Sequence, residues 1–205
     1  MSDIPSQDSA RDDRMKAIEA AAYELLAQKG PRATSMLEVA KRAKASNQTM
    51  YKWYGDKHGL FLSMVRRNAM QGATVLSNAL AGQHDLWDII DQLGPALLRL
   101  VLSDRAVALN RAAASDAHAG NELGSAIFGE GRAKIQSMLT ELLARSHTGD
   151  VAELGAGLYL DTLISDTQIR RVIGVTDAPP DRWIDEQSAR AKKILQRWLQ
   201  DAPVS

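Results

Sequence analysis

The sequence predicts an all-α fold: an N-terminal three-helix domain containing a helix-turn-helix, then a larger C-terminal helical domain. Three observations lead there. Only six prolines interrupt 205 residues, and runs of β-branched residues at period two are missing. Apolar residues recur instead at three- and four-residue spacing along most of the chain. Between Thr34 and Phe61, short apolar stripes follow one another closely, each preceded by a side chain able to cap a helix.

The elements follow in order. Residues 1–12, MSDIPSQDSARD, are polar and are expected to be a disordered tail. Residues 13–61 make the N-terminal domain. Within it, Thr34 or Ser35 can cap a short helix, and Glu38 stands at the capping-box spacing from Ser35. Met36, Leu37, Val39, Ala40 and Ala43 form its apolar side, while Lys41, Arg42 and Lys44 stay polar. Ser46 can cap the next helix, where Met50 and Tyr54 share an inward face and Gln48, Thr49 and Lys52 point away. Asp56 caps a longer helix that begins at Lys57 and ends near Ala81-Gly82; an acid there also suits the helix dipole.

Residues 62–205 make the second domain. A helix from about Asp85 carries Leu86, Ile89, Ile90, Leu93, Leu97, Leu98 and Val101, and Gly94-Pro95 is expected to kink or split it. Further helices are expected near 104–117, 121–146, 150–173 and 180–200. On the last, Ile184, Ala191, Ile194, Leu195 and Trp198 repeat at helical spacing. The helix before it offers Leu154, Leu158, Leu163 and Ile164, with Gly155 and Gly157 permitting close approach. Two such helices suit a dimer interface or an intrachain core.

The short helix after Ser46 carries Asn47, Gln48, Thr49, Tyr51, Lys52 and Trp53 in one run. Amides, hydroxyls, a cation and aromatic rings so placed can hydrogen-bond base edges and phosphates, and a helix-turn-helix presents such a helix to the major groove. Overall the chain is neutral, with 25 basic and 25 acidic residues. From Lys29 to Arg67, however, nine basic residues face only Glu38 and Asp56. Phosphate binding needs this local surplus rather than a basic protein.

Other classes lose ground on composition. Cysteine is absent, which excludes disulfides and thiolate metal sites. No apolar run approaches the ~20 residues of a membrane span, and the N-terminus does not resemble a signal peptide. A cytoplasmic protein is expected. Histidines stand alone at His58, His84, His118 and His147, and no His-Glu-x-x-His, Gly-x-Ser-x-Gly or P-loop occurs. No catalytic residue, metal or cofactor is therefore expected. Trp87, His118, Phe128, Met138 and Tyr159 could line a pocket between helices of the second domain, or fill its core.

Residues 14–61 resemble the N-terminal domain of the TetR/AcrR family of bacterial transcriptional regulators. The first-helix stripe runs from Ile18-Glu19-Ala20-Ala21 to Leu25-Leu26, followed by Gly30 and Ala33-Thr34. Met36-Leu37-Glu38-Val39-Ala40-Lys41-Arg42-Ala43 matches the family's second helix, and Ala45-Ser46-Asn47-Gln48-Thr49-Met50-Tyr51-Lys52-Trp53-Tyr54 its third. Asp56-Lys57 and Leu60-Phe61 complete the match. Lys44 stands where the family has a turn glycine, and Trp53 where it has histidine.

The resemblance implies that Ser46, Asn47, Gln48 and Thr49 face the groove of an operator duplex. It implies that Tyr51, Trp53 and Lys57 hold the phosphate backbone, with Thr34 near a phosphate at a helix start. For Tyr51 and Trp53, core packing remains the competing role; for Tyr54 it is the preferred one. The resemblance further implies a homodimer through an intersubunit four-helix bundle of the last two helices. More loosely, Leu109 to Arg132 resembles the ligand domains of AcrR-like members, which implies a small, mostly apolar effector. The expected function is a ligand-responsive DNA-binding repressor. The alternatives are an all-helical enzyme and a DNA-binding regulator without an effector.

Overall fold

The computed structural model describes residues 7–80, 85–116 and 122–202. Its helices are α1 (Gln7–Ala33), α2 (Met36–Arg42), α3 (Asn47–Tyr54), α4 (Lys57–Leu80), α5 (Leu86–Val101), α6 (Asp104–Asp116) and α7 (Glu122–Ala126). A π-helical segment (Ile127–Ala133) follows, then α8 (Lys134–Leu143), α9 (Gly149–Ile164), α10 (Thr167–Val172) and α11 (Asp181–Gln200). No strand occurs among the described residues, and none of their helices is long and apolar enough to cross a membrane.

Residues 1–6 of the expected disordered tail lie outside the described residues, and residues 7–12 belong to the first helix instead. Their polarity is that of a helix surface with partners. Asp12 pairs with Lys16 one turn on, at 2.7 Å, and with Arg67 of α4 at 2.8 Å. The Arg11 guanidinium lies 5.6 Å from the centre of the Trp53 ring, within cation–π range. At the other end Gly30 (φ 74°, ψ 172°) leaves the helical path just before Pro31.

α5 runs unsplit through Pro95. The proline ring normally collides with the Cβ of the residue before it, and Gly94 has none. Gly94 is also where three helices meet: a Cβ there would lie 2.0 Å from Ser188 Oγ of α11 and 2.8 Å from the Tyr159 hydroxyl of α9. The expected helix over 121–146 is instead three elements, with the π-helical turn in the middle. The expected helix over 150–173 breaks at Ser165, whose φ is 48°, and α10 follows.

Two large apolar cores form among the described residues, beside a small cluster of Ile89 and Leu142. One joins Ile18, Ala22 and Leu25 of α1 to Val39 and Ala40 of α2, Met50 of α3, and Leu60 and Met64 of α4. It continues into Leu109 and Ala112 of α6 and Leu123 of α7, so the packing does not divide at residue 61. The other joins Leu93, Leu97 and Leu98 of α5, Leu139 and Leu143 of α8, Ala156, Tyr159 and Leu163 of α9, and Ala191 and Leu195 of α11. Each fully buried large side chain contributes about 1.5–3 kcal/mol. α4 belongs to both halves: its first turns sit in the first core, and its middle packs against α5 and the π-helical segment.

Candidate DNA interface and internal cavity

The helix-turn-helix is fixed by its caps. The Ser35 hydroxyl accepts from the Glu38 amide at 3.3 Å, the N-cap bond of a capping box, and donates to the Glu38 carboxylate at 3.1 Å. The Ser46 hydroxyl accepts from the Thr49 amide at 3.0 Å and shares a 2.8 Å bond with the Thr49 hydroxyl. Asp56 accepts from the Gly59 amide at 2.8 Å. Both hydroxyls of the Ser46–Thr49 pair thus already serve the start of α3.

Between α2 and α3, Lys44 takes the left-handed conformation, φ 51°, at the position where the related family has glycine. A side chain there is strained by about 1–2 kcal/mol. Arg14 of α1 donates to the Lys44 carbonyl at 2.6 Å and holds the turn in this geometry. Lys44→Gly is therefore expected to raise stability by about 0.5–1 kcal/mol, part of the relieved strain being offset by the entropy of a more flexible unfolded chain. A higher urea midpoint at unchanged slope would show this. A lower one would mean that the Lys44 side chain makes a contact worth more than the strain.

Met50 and Tyr54 face the core, and Asn47, Gln48, Tyr51 and Lys52 form the exposed face of α3. Tyr51 is 58% exposed, which favours its phosphate role over core packing. Lys52 completes this face, although the family resemblance did not assign it; its exposure on the Gln48 side was the signal. Thr49 is half-buried. Trp53 is half-buried as well, set edge-on to Tyr54 with ring centres 6.5 Å apart, beneath Arg11. It secures the α1 extension to α3. Lys57 donates to the Pro31 carbonyl at 3.2 Å and stands at the first turn of α4.

Thr34 departs from expectation. It is buried, and its hydroxyl donates to the Gly30 carbonyl at 2.9 Å, closing the end of α1 instead of facing a phosphate.

Behind this domain Arg67 ties α4 to α1, reaching Asp12 at 2.8 Å and the buried Glu19 at 2.9 Å. Burial pushes the Glu19 carboxyl above its ordinary range, against the opposing pull of Arg67. Burial, helped by the Glu19 charge, pushes the neighbouring Tyr54 phenol up to about 12.

A cavity of about 120 Å³ lies between α4, α5, α6, the π-helical segment, α8, α9 and α10. Its walls are mainly apolar, with Leu97, Leu109, Ile127, Ile135 and Leu160 prominent, and its polar groups are Asn68, Asn110, Arg132 and Gln168. None of the described residues expected to line a pocket borders it. Trp87 and Met138 are packed on the second core, and Tyr159 is inside it. Phe128 points outward, 62% exposed. His118 lies outside the described residues. From the π-helical segment it is Ile127, Gly131 and Arg132 that meet the cavity.

The expected dimer stripe is really two stripes. Ile184, Ala191 and Leu195 are buried in the intrachain core and are not available to a second copy. Leu154, 65% exposed, and Ile194, 41% exposed, lie outside, with Leu158 and Trp198 half-buried.

Comparison with known proteins agrees with this architecture. Residues 18–64 match the bacterial regulatory proteins of the tetR family, and residues 88–198 match the C-terminal domain of AefR-like transcriptional repressors. Over 47 residues the chain is 45% identical to the uncharacterized HTH-type transcriptional regulator YdeS of Bacillus subtilis (strain 168), a match spanning 23% of this chain and 24% of that protein. A crystal structure from Mesorhizobium loti MAFF303099, described as a TetR-family transcriptional regulator, has a TM-score of 0.75 at 23% identity, over 91% of this chain and 96% of that one. The flavonoid-responsive regulator FrrA has a TM-score of 0.65 at 21% identity, over the same shares of the two chains. These two likenesses show the fold. The helix-turn-helix, its exposed polar helix and both family matches converge: the chain belongs to the TetR family of DNA-binding transcriptional regulators, which are not enzymes, and carries a C-terminal domain of the AefR-like type.

Proposed function

We propose that this regulator is a cytoplasmic homodimeric repressor that leaves its operator when a small, mostly apolar molecule binds in the second domain. The observation that carries the reading is the position of the cavity. Val65, Asn68, Ala69 and Gly72 of α4 form one of its walls, and α4 begins directly after the recognition helix α3. Leu60 and Met64, on the first turns of α4, pack in the same core as Met50 of α3. A ligand that favours a different tilt of α4 therefore moves α3 with it. Half-sites on DNA repeat at roughly 34–36 Å, so a change of several ångströms in the separation of the two recognition helices removes the match. Ligand and operator then weaken each other's binding by the same factor. The open cavity favours this reading over a regulator that senses nothing. The likeness in fold to FrrA, a flavonoid-responsive protein, is consistent with it.

The test is a melting-temperature screen with small lipophilic compounds, each hit then titrated against the protein–operator complex. A ligand that binds only the folded state raises the melting temperature. Hits are expected to release DNA, and Ala69→Phe, which fills the cavity from α4, should lose the response to them. Hits that bind Ala69→Phe unchanged, or no hits at all, would contradict the proposal.

A further inference from the structure

The charge of the cavity restricts what it can hold. Of its lining residues only Arg132 is charged, and no carboxylate is among them. Arg132 sits at the rim with its side chain 30% exposed, its Nη2 donating to Asp161 of α9 at 2.6 Å. A guanidinium stays protonated at any working pH and offers five N–H donors in a planar fork, so a single contact to Asp161 leaves capacity for a second acceptor. Two of the amides in the wall are already committed through their nitrogens: Asn110 donates to the Ala106 carbonyl at 2.9 Å, and Gln168 to the Val101 carbonyl at 3.1 Å. Each still offers one N–H and a carbonyl oxygen, and the oxygen suits a hydroxyl donor on a ligand. The volume, about 120 Å³, is near that of apolar cavities that hold one benzene ring.

We infer that the cavity takes a small hydroxylated aryl carboxylic acid, its ring among the apolar walls and its carboxylate on Arg132. This rests on the reading of the cavity as the effector site. A cation in the same place would meet Arg132 with no acid in the cavity wall to compensate it. Asp161 carries a negative charge on the same guanidinium and opposes the ligand's acid. Removing that charge should therefore tighten binding, whereas removing Arg132 should abolish the preference for acids.

The experiment uses the full-length protein, calorimetric titration and melting shifts, with 4-hydroxybenzoate, its neutral amide and the corresponding benzylamine as probes. The acid is expected to bind about tenfold to a hundredfold more tightly than the amide, as befits a hydrogen bond to a charged group, and the amine more weakly still. Arg132→Gln should bring the acid down to the level of the amide, Arg132→Lys should recover part of the difference, and Asp161→Asn should raise affinity for the acid alone. Equal binding of acid and amide, or an acid affinity untouched by Arg132→Gln, would overturn the inference. If neutral lipophiles bind and release DNA while the acid does not bind, this inference fails and the proposed function stands. If the acid binds as described but leaves DNA affinity unchanged, the proposed function fails and this inference stands. If no compound of any charge binds, both fail.

Discussion

Gly59→Ala is expected to lower stability by about 1–3 kcal/mol and operator affinity by at least tenfold. In most helices the same change is favourable by up to about 1 kcal/mol, so the sign itself is the test. Gly59 is in the first turn of α4, where a Cβ would lie 2.0 Å from the Tyr54 carbonyl oxygen and 3.1 Å from its carbon. Both are backbone atoms at the end of α3, and neither can rotate away as a side chain would. The recognition helix must shift against α4, which disturbs the core around Met50 and the aim of Gln48 together. Gly149→Ala is the control. A Cβ there meets nothing within 4 Å, so stability should hold or rise. Urea unfolding of both variants with a DNA titration checks the pair. A stabilised Gly59→Ala with full operator affinity would show that the α3–α4 junction is looser than described.

The second large effect belongs to the dimer. A double variant, Leu154→Glu with Ile194→Glu, is expected to be a folded monomer whose apparent operator affinity falls by about 10²–10⁴, the gain lost when two linked half-site contacts become one. Leu154 and Ile194 are exposed on α9 and α11, so two charges there leave the intrachain core intact, and helical circular dichroism should persist. Leu195→Glu should behave differently, because Leu195 is inside the core and an unpaired buried charge is expensive. Trp198 is a less clean probe: its ring packs where Gly155 leaves space, 3.0 Å from the position a Cβ would take. Sedimentation decides the matter. A double variant that stays dimeric would place the interface on another surface.

These features differ in how far the chain betrays them. Local signals were legible: Ser35 with Glu38, Ser46 with Thr49 and Asp56 with Gly59 each act within one helical turn, so spacing alone identifies the caps. The inward pair Met50 and Tyr54 was legible for the same reason. Thr34 was not, because its fate depends on Gly30 bending the chain back to accept its hydroxyl. Residues 7–12 were read as disorder because their partners, Arg67 and Trp53, lie some forty to sixty positions away, and polarity without a visible partner looks like a solvated tail. The cavity was not legible, because side chains that line a cavity and side chains that fill a core are alike in sequence: Tyr159 and Met138 went to the core, and Phe128 faces outward while its neighbour Ile127 meets the cavity. On α11, Leu195 and Ile194 are adjacent apolar residues that point to different faces, and only packing against α9 separates core from candidate interface.

The central claim is that α3, held in a dimer, reads DNA sequence through its exposed polar face. Its most direct test is selection of bound duplexes from a random pool by the intact protein, repeated with Gln48→Ala and with Lys57→Ala. The intact protein should enrich a two-fold symmetric site. Gln48→Ala should relax choice at particular base pairs, by about 1–3 kcal/mol each, and Lys57→Ala should weaken all duplexes alike. No enriched site, or one whose base preferences are the same with and without Gln48, would contradict the account.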